Sequence, residues 1–146
     1  MSSKRISHVM LSLMVVLGIL AADYTWAEVV IISHPDNPVQ AVSRGELEAL
    51  YLGKSNRLGG KAADPVDQPA GSPMRERFYR EVLGQDAARV QRYWARRLFT
   101  GQAYPPEVVG RGRETRGWVA DHPDAIGYIR DGLVDDSVKR LTVTDR

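Results

Sequence analysis

Apolar runs and amphipathic stretches alternate along the chain, with turn formers between them. "EVVIIS" (28–33) is a continuous apolar, mostly β-branched run followed by "HPDNP". A run of that length between turn residues predicts a strand buried on both faces, as in a parallel or mixed sheet. The period then changes in "VSRGELEALYLG" (42–53), where Leu47, Leu50 and Tyr51 share one helical face. Ser43 followed three residues on by Glu46 predicts a capping box, and Gly53 a stop. Residues 54–72 are rich in Gly, Pro and Asp and predict mostly loop, with a short strand near Ala63 to Val66. "SPMRERFYREVLG" (72–84) predicts a helix with Ser72 as N-cap, Pro73 at its first position and Gly84 past its end. Met74, Phe78, Val82 and Leu83 form its apolar side.

"QDAARVQRYWARRLFTG" (85–101) predicts another helix, capped by Asp86, with Val90, Tyr93, Trp94 and Leu98 as its stripe. Its arginines, Arg89, Arg92, Arg96 and Arg97, read as a solvated face. "QAYPPEVVG" (102–110) reads as loop, and a further helix is expected around Glu114 to Asp121, stopped by Pro123. Strands follow at 124–129 and at about Arg140 to Val143. Strands alternating with helices predict an α/β layer fold.

The first residues follow a different logic. Lys4 and Arg5 precede an apolar run of 14 residues, Val9 to Ala22, and small residues Thr25 and Ala27 come next. Positive, apolar, then small is the order of a secretory signal peptide, and the run falls short of the roughly 20 residues of a membrane span. The expected division is therefore 1–27 as signal peptide and 28–146 as one exported, periplasmic domain of 119 residues with a single core. That domain holds 18 basic and 17 acidic residues, so it has no global field for nucleic acid. It has no cysteine, so disulfides are absent and any metal site would lack thiolates.

Three stretches carry candidate chemistry. In "QPAGSPMRERFY" (68–79) a Gly-Ser turn enters a helix whose first amides have no internal partner, and Arg75 sits one turn in. This is a way to hold an oxyanion; the same Ser72 also serves as a plain cap, and Pro73 removes one amide donor. In "IISHPDNP" Ser33 ends a strand and offers a hydroxyl where α/β sheets place ligands, or simply a strand-to-loop turn. Asp64 and Asp67, with His34 near in type, match no metal-ligand spacing and read as turn-forming aspartates. Trp94 and Trp118 read as core. With no cysteine and both domain histidines before prolines, no nucleophile–base pair is indicated, so catalysis is not expected and no cofactor is called for.

Four strings in order resemble the phosphate-binding proteins of ABC uptake systems. "LEALYLGKSNRLGG" resembles their "IF-x-G…W-x-x-G" segment, with Arg57 where they carry an aromatic. "GSPMRERFYREVLG" is similar to their helix entered through a turn rich in Ser, Gly and Thr; "YWARRLFTG" and "VADHPDAIGYI" complete the series. The resemblance runs from about Val29 to Val143 and implies a type II periplasmic binding protein fold reduced to one lobe, a mixed sheet flanked by helices. It implies an anion, inorganic phosphate or similar, held by Ser33, Gly71, Ser72 and Arg75, and a link to transport or sensing. The alternative it leaves is a ligand-free module docking on a membrane transporter or sensor protein.

Overall fold

A computed structural model of the protein describes residues 27–145. The expected signal peptide, apart from Ala27, lies outside the described residues, and among these no helix is long and apolar enough to cross a membrane.

A six-stranded sheet in the order β2-β8-β1-β7-β5-β6 forms the middle layer. The strands are β1 (Val29–Ser33), β2 (Ala41–Ser43), β5 (Asp64–Asp67), β6 (Glu107–Val108), β7 (Ala125–Arg130) and β8 (Lys139–Thr144). β1 runs antiparallel to both of its neighbours, β7 and β8, while β2 lies parallel to β8 and β5 lies parallel to β7 and β6. The sheet is thus parallel except for one central strand. A two-stranded ribbon, β3 (Arg57–Leu58) with β4 (Lys61–Ala62), occupies the stretch read as loop. β6 is a correction of the same kind: Glu107–Val108, in the stretch read as loop, forms an edge strand.

Helices cover both faces. α1 (Arg44–Tyr51), α2 (Pro73–Arg77) and α3 (Ala87–Phe99) pack on one side, and α4 (Gly112–Asp121) on the other. α1 begins with the expected capping box: the Ser43 hydroxyl accepts from Glu46 N–H and the Glu46 carboxylate accepts from Ser43 N–H at 2.8 Å. The expected helix over 72–84 starts as α2 and widens at once into a π-helical turn, Phe78–Val82, so ten residues run as one helix of changing pitch. The wider turn brings two successive aromatics, Phe78 and Tyr79, into the core together.

Period-2 alternation along the strands splits the core. Ile31, Ile126 and Tyr128 face α1, α2 and α3, while Val30, Ile32, Val66 and Ile129 face α4, where Val119 meets them. On the first side Phe78 stacks on Tyr128 with centroids 3.9 Å apart and planes 7° apart, and Tyr51 meets Phe78 edge-on at 4.7 Å. Such aromatic pairs are worth about 0.5–1.5 kcal/mol each beyond the area they bury. Trp94 is core, as expected, with its Cη2 against Gly53.

Candidate functional site

The carboxyl end of β5 is the polar centre of an otherwise apolar face. Asp67, the last residue of that strand, is buried and takes four donors. Its Oδ1 accepts from Gln68 N–H at 2.8 Å and from the Tyr128 hydroxyl. Its Oδ2 accepts from the Tyr79 hydroxyl at 2.8 Å and from Arg75 Nε at 3.2 Å. The parallel register of β5 with β7 brings Tyr128 alongside, and α2 with its π turn returns Arg75 and Tyr79 over the strand end. Arg75 also lies over the Tyr79 ring, 4.8 Å from its centroid.

Charge and burial set the protonation states. Burial drives the Tyr128 and Tyr79 phenols well above their ordinary range, and the adjacent Asp67 charge and its hydrogen bonds add to the shift. Tyr51, fully buried and donating to the Val66 and Ile126 carbonyls, is pushed up for the same first reason. Burial works against the Arg75 cation, but Asp67 outweighs it and holds the guanidinium above its ordinary value. The cluster is therefore one anion, one cation and neutral phenols, all hydrogen-bonded.

The structure gathers three of the four expected anion residues. Gly71 adopts φ +82°, a left-handed conformation that turns the chain from the strand end into α2. Ser72 occupies the N-cap position, yet its side chain makes no cap hydrogen bond. It is buried, and its hydroxyl donates to Gln68 Oε1 at 2.9 Å, while Gln68 Nε2 donates to the Tyr128 carbonyl at 3.0 Å. Ser72 N–H closes a turn onto the Pro69 carbonyl at 3.0 Å and Pro73 has no N–H, which leaves the amides of Gly71, Met74 and Arg75 without a partner among the described residues. Arg75 is only 8 % exposed, and of its guanidinium nitrogens Nε alone is bonded there.

Ser33 does not join them. Because β1 is antiparallel, its carboxyl end pairs with Ile126, at the amino ends of β7 and β5. It lies two strands across and about 6–7 Å along the sheet from the level of Asp67, and its buried hydroxyl contacts the His34 carbonyl. The aspartates part in the same way. Asp64 is exposed at one end of β5, and Asp67, read from sequence as a turn former, is the buried hub at the other. Tyr79 and Tyr128 were missed altogether. For Tyr128 the available signal was a tyrosine inside the apolar run "AIGYI", whose hydroxyl must find a partner once buried, whereas Tyr79, between Phe78 and Arg80, carried none.

A cleft of about 510 Å³ opens at the amino end of β5, between Asp64, Trp94, Tyr104, Glu107, Trp118 and His122. No Lys or Arg lines it and two carboxylates do, so its charge does not suit an anion.

No family model and no curated protein sequence matches the chain. Solved structures do. A Clostridium perfringens protein assigned as a phosphate ABC transporter substrate-binding protein, solved with phosphate bound, superposes with a TM-score of 0.64 at 23% identity over 80% of this chain and 45% of that one. An ABC-type phosphate transport receptor from Vibrio cholerae gives 0.61 at 21% identity, over 79% and 45%. PstS from Borrelia burgdorferi gives 0.60 at 13%, over 80% and 47%. The chain spans less than half the length of each of these structures. The likeness is one of fold: a single lobe of the periplasmic binding protein type, a mixed sheet flanked by helices.

Proposed function

We propose that this protein is an exported, solute-binding lobe that holds phosphate or a similar oxyanion at the Gly71–Arg75 turn, in the service of phosphate transport or sensing in the periplasm. The observation that carries the reading is the state of Arg75. Its Nε is fixed by Asp67, its position is nine-tenths buried, and its two terminal nitrogens have no partner among the described residues. A guanidinium oriented through one edge presents the other as a preorganised fork for an oxyanion. The unbonded amides of Gly71, Met74 and Arg75 stand at the positive end of the same helix. Gly71 and Arg75 carry the contact; Ser72 supports it through Gln68, and Ser33 has no part in it. No step of chemistry is involved.

The test is titration calorimetry of the protein with phosphate and with sulfate, paired with melting curves. Binding heat and a rise in Tm are expected, and both are lost in Arg75→Lys, which keeps the charge facing Asp67 but not the fork. Absence of heat and of any Tm shift at millimolar anion refutes the reading.

One observation favours a second reading, a ligand-free module docking on a membrane transporter or sensor protein. The Asp67 carboxylate has all four of its donors within the domain, and the Ser72 proton is committed to Gln68. Recovery of an envelope partner by a protein that gives no heat with either anion would decide for it.

A further inference from the structure

The charge of this nearly balanced chain is strongly divided along the sequence. Residues 87–113 hold six arginines against one glutamate, net +5, while the other residues from 28 to 146 hold twelve basic and sixteen acidic, net −4. The positive segment runs continuously through α3, the loop after it, the edge strand β6 and the entry to α4, and Trp94 of α3 lines one cleft with Tyr104 and Glu107, so these parts meet along one border. Its ion pairing is as uneven. Arg44, Arg75, Arg77, Arg80, Arg116 and Arg140 all make salt bridges, whereas none of Arg89, Arg92, Arg96, Arg97, Arg111 and Arg113 does so among the described residues. Arg97 is accounted for: it folds back over the Tyr93 and Trp94 rings at 5.4 and 5.9 Å. Arg89, Arg92 and Arg96 are exposed, and at about 100° per residue they fall within one-sixth of a turn of each other on α3.

Apolar exposure lies in the same place. The large hydrophobic side chains left exposed among the described residues are Leu98, Phe99, Tyr104 and Val108, all between the end of α3 and β6. Phe99, 94 % exposed, continues the arginine stripe at its carboxyl end, and Tyr104 is 85 % exposed in the loop beyond.

We infer that this border is a docking surface for an anionic lipid bilayer. Unpaired arginines beside protruding aromatics are what a headgroup region selects: guanidinium forks take phosphates, and phenyl and phenol rings settle at the acyl boundary. A solvated face would account for the arginines alone but not for the aromatics at their end. An acidic protein would match the charge, but the cleft that opens on this border is lined by Asp64 and Glu107 and by no Lys or Arg, so it does not suit acidic side chains. The acidic remainder of the domain fixes the orientation, because it is repelled by the surface that the border approaches.

The chain has no cysteine, so one introduced in the exposed Gln102→Cys position takes an environment-sensitive fluorophore at a single site. The full chain is titrated with phosphatidylcholine vesicles, with and without phosphatidylglycerol, at low and high salt. Because the run Val9–Ala22 is present in every sample, the comparison is between variants. Expected are a blue shift with the anionic vesicles only and weakening by salt. Each arginine contributes about fivefold in partitioning, so Arg89→Glu/Arg92→Glu/Arg96→Glu loses about a hundredfold or more. Phe99→Ser reduces the shift, and neither change at exposed positions moves the Tm. Equal shifts on neutral vesicles, no shift on anionic ones, or an unaffected triple variant overturns the inference. A shift with polyglutamate and none with vesicles overturns it in favour of an acidic protein partner.

Discussion

Replacing Asp67 with asparagine removes one charge and turns one acceptor into a donor, with no change of size. The carboxylate accepts from Gln68 N–H, the Tyr128 and Tyr79 hydroxyls and Arg75 Nε. The amide oxygen can serve two of those four, and its NH₂ points at the other two, donor against donor. Arg75, buried, is left with an uncompensated charge. Breaking a buried pair from one side costs about 3–5 kcal/mol, a large part of the roughly 5–15 kcal/mol available to a domain. For about 120 residues that is a fall in Tm of roughly 10–20 °C. Tyr79→Phe alone leaves the carboxylate three donors and costs about 1 kcal/mol. In the Asp67→Asn background the same change should cost nothing or help, because Tyr79 has already lost its acceptor. Urea and thermal unfolding of the four proteins measure this cycle. A loss under about 1 kcal/mol for Asp67→Asn, or additive single effects, would refute the assignment of Asp67 as the hub.

Three further outcomes follow from the same core. Tyr51, Tyr79 and Tyr128 have folded-state pKa values above their unfolded ones, so the stability they secure is complete below about pH 10 and is lost as pH rises above it. In an alkaline titration three of the six tyrosines should therefore ionise only as the fold is lost; phenolate absorbance rising smoothly for all six, with circular dichroism unchanged, contradicts this. Gly53→Ala and Gly60→Ala both force alanine to positive φ, +66° and +78°, but only at Gly53 does the new Cβ meet a wall, 2.7 Å from Trp94. Both should destabilise, by about 1–2 kcal/mol for backbone strain, with Gly53→Ala the worse by a further 1–3 kcal/mol for overpacking; equal losses would mean that Trp94 yields freely. Ser72→Ala should cost about 1–3 kcal/mol in urea unfolding, because Gln68 loses a buried donor.

What the sequence disclosed was local. Period and capping located α1, α3 and β1, and the Ser43–Glu46 box formed as read, because these depend on neighbours within a turn. What it withheld depends on distant partners. The direction of β1 is set by strands about a hundred residues away, and that direction carries Ser33 away from the turn at Gly71. Asp67 sits among Pro, Asp and Gln in a stretch that looks like a turn, and only the pairing of β5 with β7 makes it the partner of Tyr128, 61 residues on. Ser72 was legible as a cap by position, yet its hydroxyl turns away to donate to Gln68 Oε1 and accepts from no helix N–H. The edge strand β6 hid behind Pro105 and Pro106, residues that a sheet tolerates at its border.

The place of β8 in the sheet bears on how the protein comes into being. Among the described residues the strand latest in sequence lies between β1 and β2, the two earliest, and it alone pairs with β2. Until residues 139–144 leave the ribosome, the sheet has a gap where its oldest strands should be joined, and closing it spans about a hundred residues of chain. Such a topology delays closure of the sheet until residues 139–144 have been made and slows it thereafter. A nascent chain in that condition stays threadable, which is what the proposed export across a membrane would require.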